Sequence, residues 1–196
     1  MAGARNGIPG VLADRDGTLI REVCYLSRLS QIEVLPGVPE AVQLLHQHGL
    51  KVAVITNQSG VARGFFGERE LREIHREIGR QLARSGASLD GIYYCPHHPT
   101  EGADPYRVSC ECRKPNVGLA KQAARELNLD LGRSYVVGDQ SSDMELATRI
   151  GAKGIRIQVE GAEKAGQRKE SSSLVVKDLW EAAEWIIDDL SPFPSA

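Results

Sequence analysis

Long apolar segments are missing from this sequence. None of its 196 residues belongs to a run that approaches the roughly 18 uninterrupted apolar residues of a transmembrane helix. The first ten residues likewise contain no apolar run of the length found in signal peptides. We therefore expect a cytoplasmic protein without a membrane partner.

A strong charge of either sign is also missing. The formal net charge is −2, and basic or aromatic residues form no stripe along the chain. Proteins that bind nucleic acids or anionic membrane surfaces usually carry a clustered positive charge. We therefore expect no nucleic-acid partner, and an anionic substrate would have to be attracted by a local site.

Cysteine is scarce, and the sequence contains no internal repeat. The hydrophobic share of 41% is sufficient for a core that needs neither disulfides nor an oligomer. We therefore expect one domain over residues 1–196, with a short arm over residues 1–9, and a monomer. The four cysteines are Cys24, Cys95, Cys110 and Cys112. In a cytosolic protein, such clustering indicates a metal site or catalysis.

Short apolar runs alternate with amphipathic segments along most of the chain. This alternation predicts parallel β-α-β units, and so an α/β fold with an open parallel sheet covered by helices on both faces. Long connections over residues 17–35 and 95–114 indicate functional or metal-held loops, and residues 160–173 are predicted to form a polar surface loop. The predicted strands are 10–13, 51–56, 92–94, 134–138, 155–157 and 174–176, and the predicted helices are 36–48, 68–84, 117–127, 142–150 and 179–190.

Polar clusters follow three of these strands. They cover residues 14–18 (Asp-Arg-Asp-Gly-Thr), 56–60 (Thr-Asn-Gln-Ser-Gly) and 138–143 (Gly-Asp-Gln-Ser-Ser-Asp). The segment 113–115 (Arg-Lys-Pro) lies between the last two. Ligands of open parallel sheets bind beyond the carboxyl ends of the strands. We therefore expect these side chains to meet in one site.

The clustered residues carry complementary chemistry. The acids Asp14, Asp16 and Asp139 could hold Mg²⁺, which prefers oxygen ligands. Asp14 could attack the phosphorus atom of a phosphate monoester, and Asp16 could protonate the departing oxygen. Hydrogen bonds and positive charge for the phosphoryl oxygens would come from Thr56, Asn57 and Lys114.

Single residues in these clusters also have structural explanations. An Asp-x-Asp-Gly segment is common in turns and calcium loops, and Asp139 could be a helix N-cap. Asp143 could serve the metal site or the helix that follows it, and Arg63 could contact a second phosphate or lie on the surface. Because the clusters occur together and follow predicted strands, we favour catalysis.

Other polar residues are assigned no chemistry. His46, His48 and His75 lie in predicted helices without a partner pattern, so we expect them to be exposed to solvent. Cys24 lies outside the cysteine cluster and is expected to be partly buried.

The loop over residues 95–112 carries a Cys-x-His and a Cys-x-Cys pair. Cys95, His97, Cys110 and Cys112 could form a closed tetrahedral Zn²⁺ site of the structural type. The alternatives are reduced core cysteines or a strained disulfide between Cys110 and Cys112, and His98 could replace His97. Because the loop runs into Lys114, zinc would place that lysine without touching the substrate.

The full set of motifs resembles that of the haloacid-dehalogenase-type phosphohydrolases. Their pattern is Asp-x-Asp-x-Thr, a strand-end Thr or Ser, a Lys, and one or two acids, and the resemblance extends from Val11 to Ile157. It implies an aspartyl-phosphate on Asp14. It also implies Mg²⁺ held by Asp14, the backbone carbonyl of Asp16, and Asp139.

The cysteine loop narrows the resemblance to one branch of that family. This branch contains heptose-1,7-bisphosphate 7-phosphatases and histidinol phosphatases, which have no large cap domain. The segment 56–64 and the twelve residues between His97 and Cys110 are similar to those of the heptose enzymes. Substrate contacts implied by the resemblance fall on Asn57, Gln58, Ser59, Arg113 and Tyr25.

The resemblance therefore implies removal of the 7-phosphate from a heptose 1,7-bisphosphate, with the preferred anomer left open. Histidinol-phosphate hydrolysis is the second candidate. A polynucleotide 3′-phosphatase domain or a zinc-stabilised binding module remains as an alternative of a different class.

Overall fold

The computed structural model describes residues 7–158 and 174–191. Within these ranges, six parallel strands form one sheet in the order β3-β2-β1-β4-β5-β6. The strands are β1 (Gly10–Ala13), β2 (Lys51–Asn57), β3 (Gly91–Cys95), β4 (Tyr135–Gly138), β5 (Lys153–Ile157) and β6 (Leu174–Val176). The helices are α1 (Val38–Gln47), α2 (Glu68–Arg84), α3 (Gly118–Leu127), α4 (Ser141–Ile150) and α5 (Leu179–Leu190).

Both faces of the sheet are covered, as the side chains of strand β1 show. All four of its residues are buried, with Val11 and Ala13 in one apolar cluster and Leu12 in another. Successive side chains of a strand point to opposite faces, so each cluster lies on its own face. Helices α1, α2 and α5 contribute to the first cluster, and α3 and α4 contribute to the second.

The strand order changes direction at β1. This strand pairs with β2 on one side and with β4 on the other, so that Leu12 lies opposite both Ala53 and Val136. The carboxyl ends of β1 and β4 therefore open into the crevice where ligands of such sheets bind. The predicted clusters after these strands are placed at this crevice by the topology.

The expected fold class is confirmed, with small shifts at the ends of elements. Strand β5 begins two residues earlier than predicted, and β3 is longer at both ends. The predicted helix over 36–48 begins only at Val38, because Gly37 adopts a left-handed conformation with φ of 77°. The predicted loop 160–173 lies outside the described residues. Among the residues that are described, no helix is long and apolar enough to cross a membrane.

Two predictions of exposure are wrong. His75 is only 7% exposed, because it lies on the same face of α2 as Leu71, Ile74 and Ile78, at a spacing that faces the core. Cys24 is exposed, because the long connection after β1 buries Leu26 instead. Of the other helical histidines, His48 is exposed, whereas His46 is half-buried and lies 2.9 Å from Asp90.

Candidate active site at the carboxyl edge of the sheet

Asp14 extends the central strand by one residue into the crevice. Its backbone N–H donates to the carbonyl oxygen of Val137 in β4 at 2.8 Å, which continues the strand pairing. The chain then turns at Gly17, whose φ of 71° favours glycine. A side chain at Gly17 would also start 3.1 Å from Asp139 Oδ2, so glycine lets the turn approach this carboxylate.

Lys114 joins two of the acids. Its Nζ atom lies 2.8 Å from Asp14 Oδ1 and 2.7 Å from Asp143 Oδ1, and the lysine is 4% exposed. Burial alone would lower the pKa of Lys114, but the charges of Asp14 and Asp143 outweigh it and raise this pKa above its ordinary value. Lys114 is therefore a buried cation between two carboxylates.

Asn57 holds the backbone of this lysine. The Lys114 N–H donates to Asn57 Oδ1 at 2.9 Å, and Asn57 Nδ2 donates to the Lys114 carbonyl at 3.1 Å. Thr56 is buried next to it, and its hydroxyl oxygen accepts from Gln58 Nε2 at 2.9 Å. This contact does not use the proton of the Thr56 hydroxyl.

Three carboxylates form a second group in the crevice. Oxygen atoms of Asp14, Asp139 and Asp143 lie within 4.8 Å of one another. Burial, and then the charge of Asp14, raise the pKa of Asp139 to about 6. Asp139 Oδ1 is buried without a hydrogen-bond donor among the described residues. A converging set of carboxylates with an unpaired buried oxygen fits a hard cation such as Mg²⁺.

Asp143 serves two neighbours at once. One of its oxygens pairs with Lys114, and the other accepts from the Gln140 N–H at the start of α4 at 3.1 Å. Burial raises the pKa of Asp143 to about 6, with the Lys114 charge opposing this rise. Asp143 therefore contacts the start of α4, while its role at the metal site stays a prediction.

The Asp16 side chain is directed differently from these three acids. Arg15 donates to both Asp16 carboxylate oxygens, with its Nη2 atom at 3.0 and 2.9 Å. Gln58 Nε2 donates to Asp16 Oδ2 at 2.9 Å. Gln58, which is expected to contact substrate, is 5% exposed, and its amide is bonded to Arg15, Asp16 and Thr56.

Sequence reasoning missed Arg15 and His75. Arg15 is 2% exposed and His75 Nε2 lies 3.2 Å from Arg15 Nη1. An arginine between two acids directly after a buried strand, and a histidine on the apolar face of α2, were the available indications. Neither residue has a familiar motif spacing to the other, so the sequence alone does not indicate their contact.

The cysteine loop gathers the four expected side chains. The sulfur-to-sulfur distances among Cys95, Cys110 and Cys112 are 3.1, 3.2 and 3.5 Å. A disulfide requires about 2.05 Å, whereas the edges of a tetrahedral zinc–thiolate site, with Zn–S of about 2.3 Å, are about 3.8 Å. The group could therefore hold zinc, and the disulfide alternative is not observed.

A histidine completes the group of sulfur atoms. His97 Nδ1 lies 3.2 Å from Cys112 Sγ and 3.7 Å from Cys95 Sγ. The neighbouring His98 lies outside the group, because its Nδ1 accepts from the backbone N–H of Glu101 at 2.9 Å. His97 is therefore the histidine that lies with the three sulfur atoms, and it stays the predicted ligand.

The remaining expected substrate contacts lie on loops. The Tyr25 and Phe65 rings pack at a tilt of 44° with 4.3 Å between their centroids, and the Arg63 guanidinium lies 5.7 Å from the centroid of the Tyr25 ring. Arg63 also pairs with Glu101 of the cysteine loop. The last two expected contacts each have a backbone partner: Ser59 offers its carbonyl to the Arg63 N–H at 3.0 Å, and Arg113 Nη1 donates to the His97 carbonyl at 3.1 Å.

Comparison with known proteins places this geometry in a family. Residues 111–182 match the family model described as HAD-hydrolase-like. The chain is similar to two proteins named D-glycero-β-D-manno-heptose-1,7-bisphosphate 7-phosphatase. It is 37% identical to that of Photorhabdus laumondii, over 97% of this chain and 95% of the relative, and 34% identical to that of Escherichia coli, over 96% and 93%.

Two crystal structures are similar as well. A putative HAD-like phosphatase from Mesorhizobium loti has a TM-score of 0.82 and 29% identity, covering 96% of this chain and 90% of that one. The D,D-heptose 1,7-bisphosphate phosphatase of B. bronchiseptica, solved with magnesium and phosphate, has a TM-score of 0.77 and 31% identity, covering 92% and 99%. The chain belongs to the haloacid-dehalogenase-like hydrolases, in the family of the heptose-1,7-bisphosphate 7-phosphatases.

Proposed function

We propose that this chain hydrolyses the 7-phosphate of D-glycero-D-manno-heptose 1,7-bisphosphate in the biosynthesis of nucleotide-activated heptose. The observation that carries the proposal is the group of Asp14, Lys114, Asp139 and Asp143 at the carboxyl edge of the sheet, in a chain whose relatives bear this name. The group offers a nucleophile, a cation and a metal site within one crevice.

In the first step, an Asp14 oxygen attacks the phosphorus atom in line with the sugar oxygen. The bond from phosphorus to the sugar oxygen breaks, and Asp16 gives that oxygen a proton. This step leaves a phosphoryl group on Asp14 and frees the heptose 1-phosphate. Asp14 is suited to the attack because its position is fixed by the β4 backbone and by Lys114.

In the second step, water attacks the aspartyl-phosphate. Asp16 is now a carboxylate and accepts a proton from this water, which releases inorganic phosphate and restores Asp14. Negative charge on the phosphoryl oxygens is stabilised by the Thr56 hydroxyl and the Lys114 ammonium. Asn57 contributes by fixing the Lys114 backbone with two hydrogen bonds.

Mg²⁺ would be held by Asp14, Asp139 and the backbone carbonyl of Asp16, where a bound cation neutralises charge on the phosphoryl group. The buried, unpaired Oδ1 of Asp139 supports this assignment. Asp143 supports the site by balancing Lys114.

A Zn²⁺ held by Cys95, His97, Cys110 and Cys112 would have a structural function. Four protein ligands leave no position for water or substrate. The loop that they close ends next to Arg113 and Lys114, so the metal would fix the phosphate-binding lysine and the expected substrate contact of Arg113.

Substrate selection would come from loops instead of a cap domain. Tyr25, Ser59 and Arg113 are the proposed sugar-phosphate contacts. The contact between the Tyr25 and Phe65 rings joins the loop after β1 to the loop after β2. Gln58 acts through Asp16 in this scheme. We further propose that the enzyme is a single-domain monomer with no nucleic-acid partner. We also propose that it works in the cytoplasm, because a reducing compartment preserves the free thiols that its metal site requires.

A substrate panel tests this proposal. Purified protein with Mg²⁺ is assayed for phosphate release from both anomers of heptose 1,7-bisphosphate, from histidinol phosphate and from a 3′-phosphorylated oligonucleotide. The expected result is one phosphate per bisphosphate, with a kcat/KM at least about tenfold higher than for the other compounds, a difference of about 1.4 kcal/mol in transition-state binding. Equal or better turnover of histidinol phosphate or the oligonucleotide would overturn the substrate assignment, and the ratio of the two anomers assigns the preferred one.

A further inference from the structure

The buried Arg15 guanidinium has no role in the steps above, although it touches the proposed acid. Its Nε atom lies 3.2 and 3.1 Å from the two Asp16 carboxylate oxygens, and its Nη2 atom lies 3.0 and 2.9 Å from the same pair. Each of the two nitrogen atoms is within reach of both oxygens, so the rigid edge of the guanidinium crosses the edge of the carboxylate and holds both oxygens. A lysine would provide the charge from a single nitrogen atom.

His75 holds the far side of the guanidinium. Arginine has only N–H donors, so His75 Nε2, which lies 3.2 Å from Arg15 Nη1, must accept, and the ring proton must be on Nδ1. Burial, and then the charge of Arg15, lower the pKa of His75 to about 3, which keeps the ring neutral. Helix α2 thus presents a neutral acceptor to Arg15, and this fixes the arginine in turn.

Gln58 completes the network around Asp16. Its Oε1 accepts from Arg15 Nη2 at 2.9 Å, and its Nε2 donates to Asp16 Oδ2 and to Thr56 Oγ1, both at 2.9 Å. The Asp16 carboxylate therefore has contacts from two residues that are themselves almost fully buried. Such an arrangement restricts the carboxylate to a narrow range of orientations.

We infer that Arg15, held by His75, is a positioning residue that directs the Asp16 carboxyl group at the leaving-group oxygen. The inference rests on the proposed function, in which Asp16 is the acid. A misdirected acid slows the release of a sugar alkoxide, which needs the proton. It has little effect on the release of 4-nitrophenolate, which is stable as an anion.

The test compares these two leaving groups in single turnovers. With enzyme in excess over substrate, the formation of heptose 1-phosphate or of 4-nitrophenol reports the first step alone. Arg15→Lys is expected to slow the sugar reaction about 10- to 100-fold, with the 4-nitrophenyl phosphate rate and the KM for the sugar within about threefold of wild type.

His75 gives an independent arm in which Arg15 is untouched. His75→Leu removes the acceptor and is expected to reproduce the selective loss, whereas His75→Gln offers a carbonyl oxygen near the Nε2 position and restores most of the rate. His46→Leu is the matched control, since His46 is half-buried on another helix and bonded to Asp90. Both of its rates should equal those of wild type.

Asp16→Asn tests the acid role of Asp16 separately from the positioning role of Arg15. If this variant shows no selective loss with the sugar, the proposed acid role of Asp16 is wrong. If it shows the selective loss but Arg15→Lys and His75→Leu slow both substrates equally, or slow neither, the positioning role is wrong. Should Arg15→Lys fail to fold, the His75 pair decides the question.

Discussion

The Nζ atom of Lys114 lies 2.7 Å from Asp143 Oδ1, and both side chains are almost entirely buried. Removing one partner of a buried ion pair leaves an uncompensated charge and costs about 3–5 kcal/mol. Lys114→Met is therefore expected to lower the free energy of unfolding by about this amount at neutral pH, and to abolish phosphate release. Denaturant unfolding measures the first effect, and a phosphate assay measures the second.

The double variant Lys114→Met/Asp143→Asn distinguishes the two effects. Neutralising Asp143 removes the orphaned charge, so part of the lost stability should return, while activity should not. A double variant as unstable as Lys114→Met would show that the Asp143 charge is not what the lysine balances.

Asp14→Asn should abolish turnover without disturbing the fold. The amide keeps the shape of the carboxylate but cannot form the phosphoryl intermediate, so we expect a fall in kcat of at least about 10³-fold. Zinc content and thermal unfolding should stay close to wild type. Turnover within tenfold of wild type would exclude Asp14 as the nucleophile.

Asp139 offers a pH-dependent test of the magnesium site. Its pKa is raised to about 6 from an ordinary 3.8, so the folded, metal-free protein binds more protons than the unfolded chain between about pH 4 and 6. Its stability therefore decreases as the pH rises through this window. At pH 7, Asp139→Asn should stabilise the metal-free protein by about 1–2 kcal/mol, after allowance for partial solvent exposure.

Magnesium should make the wild-type protein more stable than Asp139→Asn, which reverses the order expected without the metal. Mg²⁺ binds the ionised carboxylate, so it is expected to raise the Tm of the wild-type protein and to leave that of Asp139→Asn unchanged. Its affinity for the wild type should decrease below about pH 6, as protons compete for Asp139. Equal stabilisation of both proteins by Mg²⁺ would remove Asp139 from the proposed ligand set. Glu40→Gln, on exposed α1 surface, is the matched charge control.

The sequence predicts the placement of residues that depends on local chemistry. It does not predict contacts that depend on tertiary packing. Asp14, Thr56 and Lys114 could be found because strand ends and glycine turns have recognisable local patterns. The spacing of Cys95, His97, Cys110 and Cys112 likewise predicts their meeting. Arg15 was not recognisable, because its partner His75 is 60 residues away and packed through a different helix.

Dependence on tertiary packing also explains why the sequence does not show the partners of Gln58 and Asn57. Gln58 and Asn57 are expected from the resemblance to contact substrate. In the structure their amides are bonded within the protein, Gln58 to Asp16 and Asn57 to the Lys114 backbone. Such pairings depend on which loops the fold brings together. The beginning of α1 shifted for the opposite, local reason, because Gly37 adopts a left-handed conformation there.

Zinc removal should lower the activity of the enzyme, although the proposed zinc site does not touch the substrate. The cysteine loop is joined to the site through Gln58, whose N–H donates to the Cys95 carbonyl at 2.8 Å, and through Asn116, whose Nδ2 donates to the Cys110 carbonyl at 2.7 Å. Loss of the metal is expected to loosen residues 95–112, which lead directly into Lys114. Chelation, or Cys112→Ser, is expected to lower kcat at least about tenfold and the Tm by about 10 °C.

Cys24→Ser is the matched control for this prediction, because Cys24 is exposed and lies outside the group of four ligands. It should retain about one zinc per chain by elemental analysis, together with full activity. Zinc, but not additional magnesium, should restore the chelated wild type. A Cys112→Ser protein without zinc but with wild-type kcat would show that Lys114 is placed by the sheet edge and Asn57 alone.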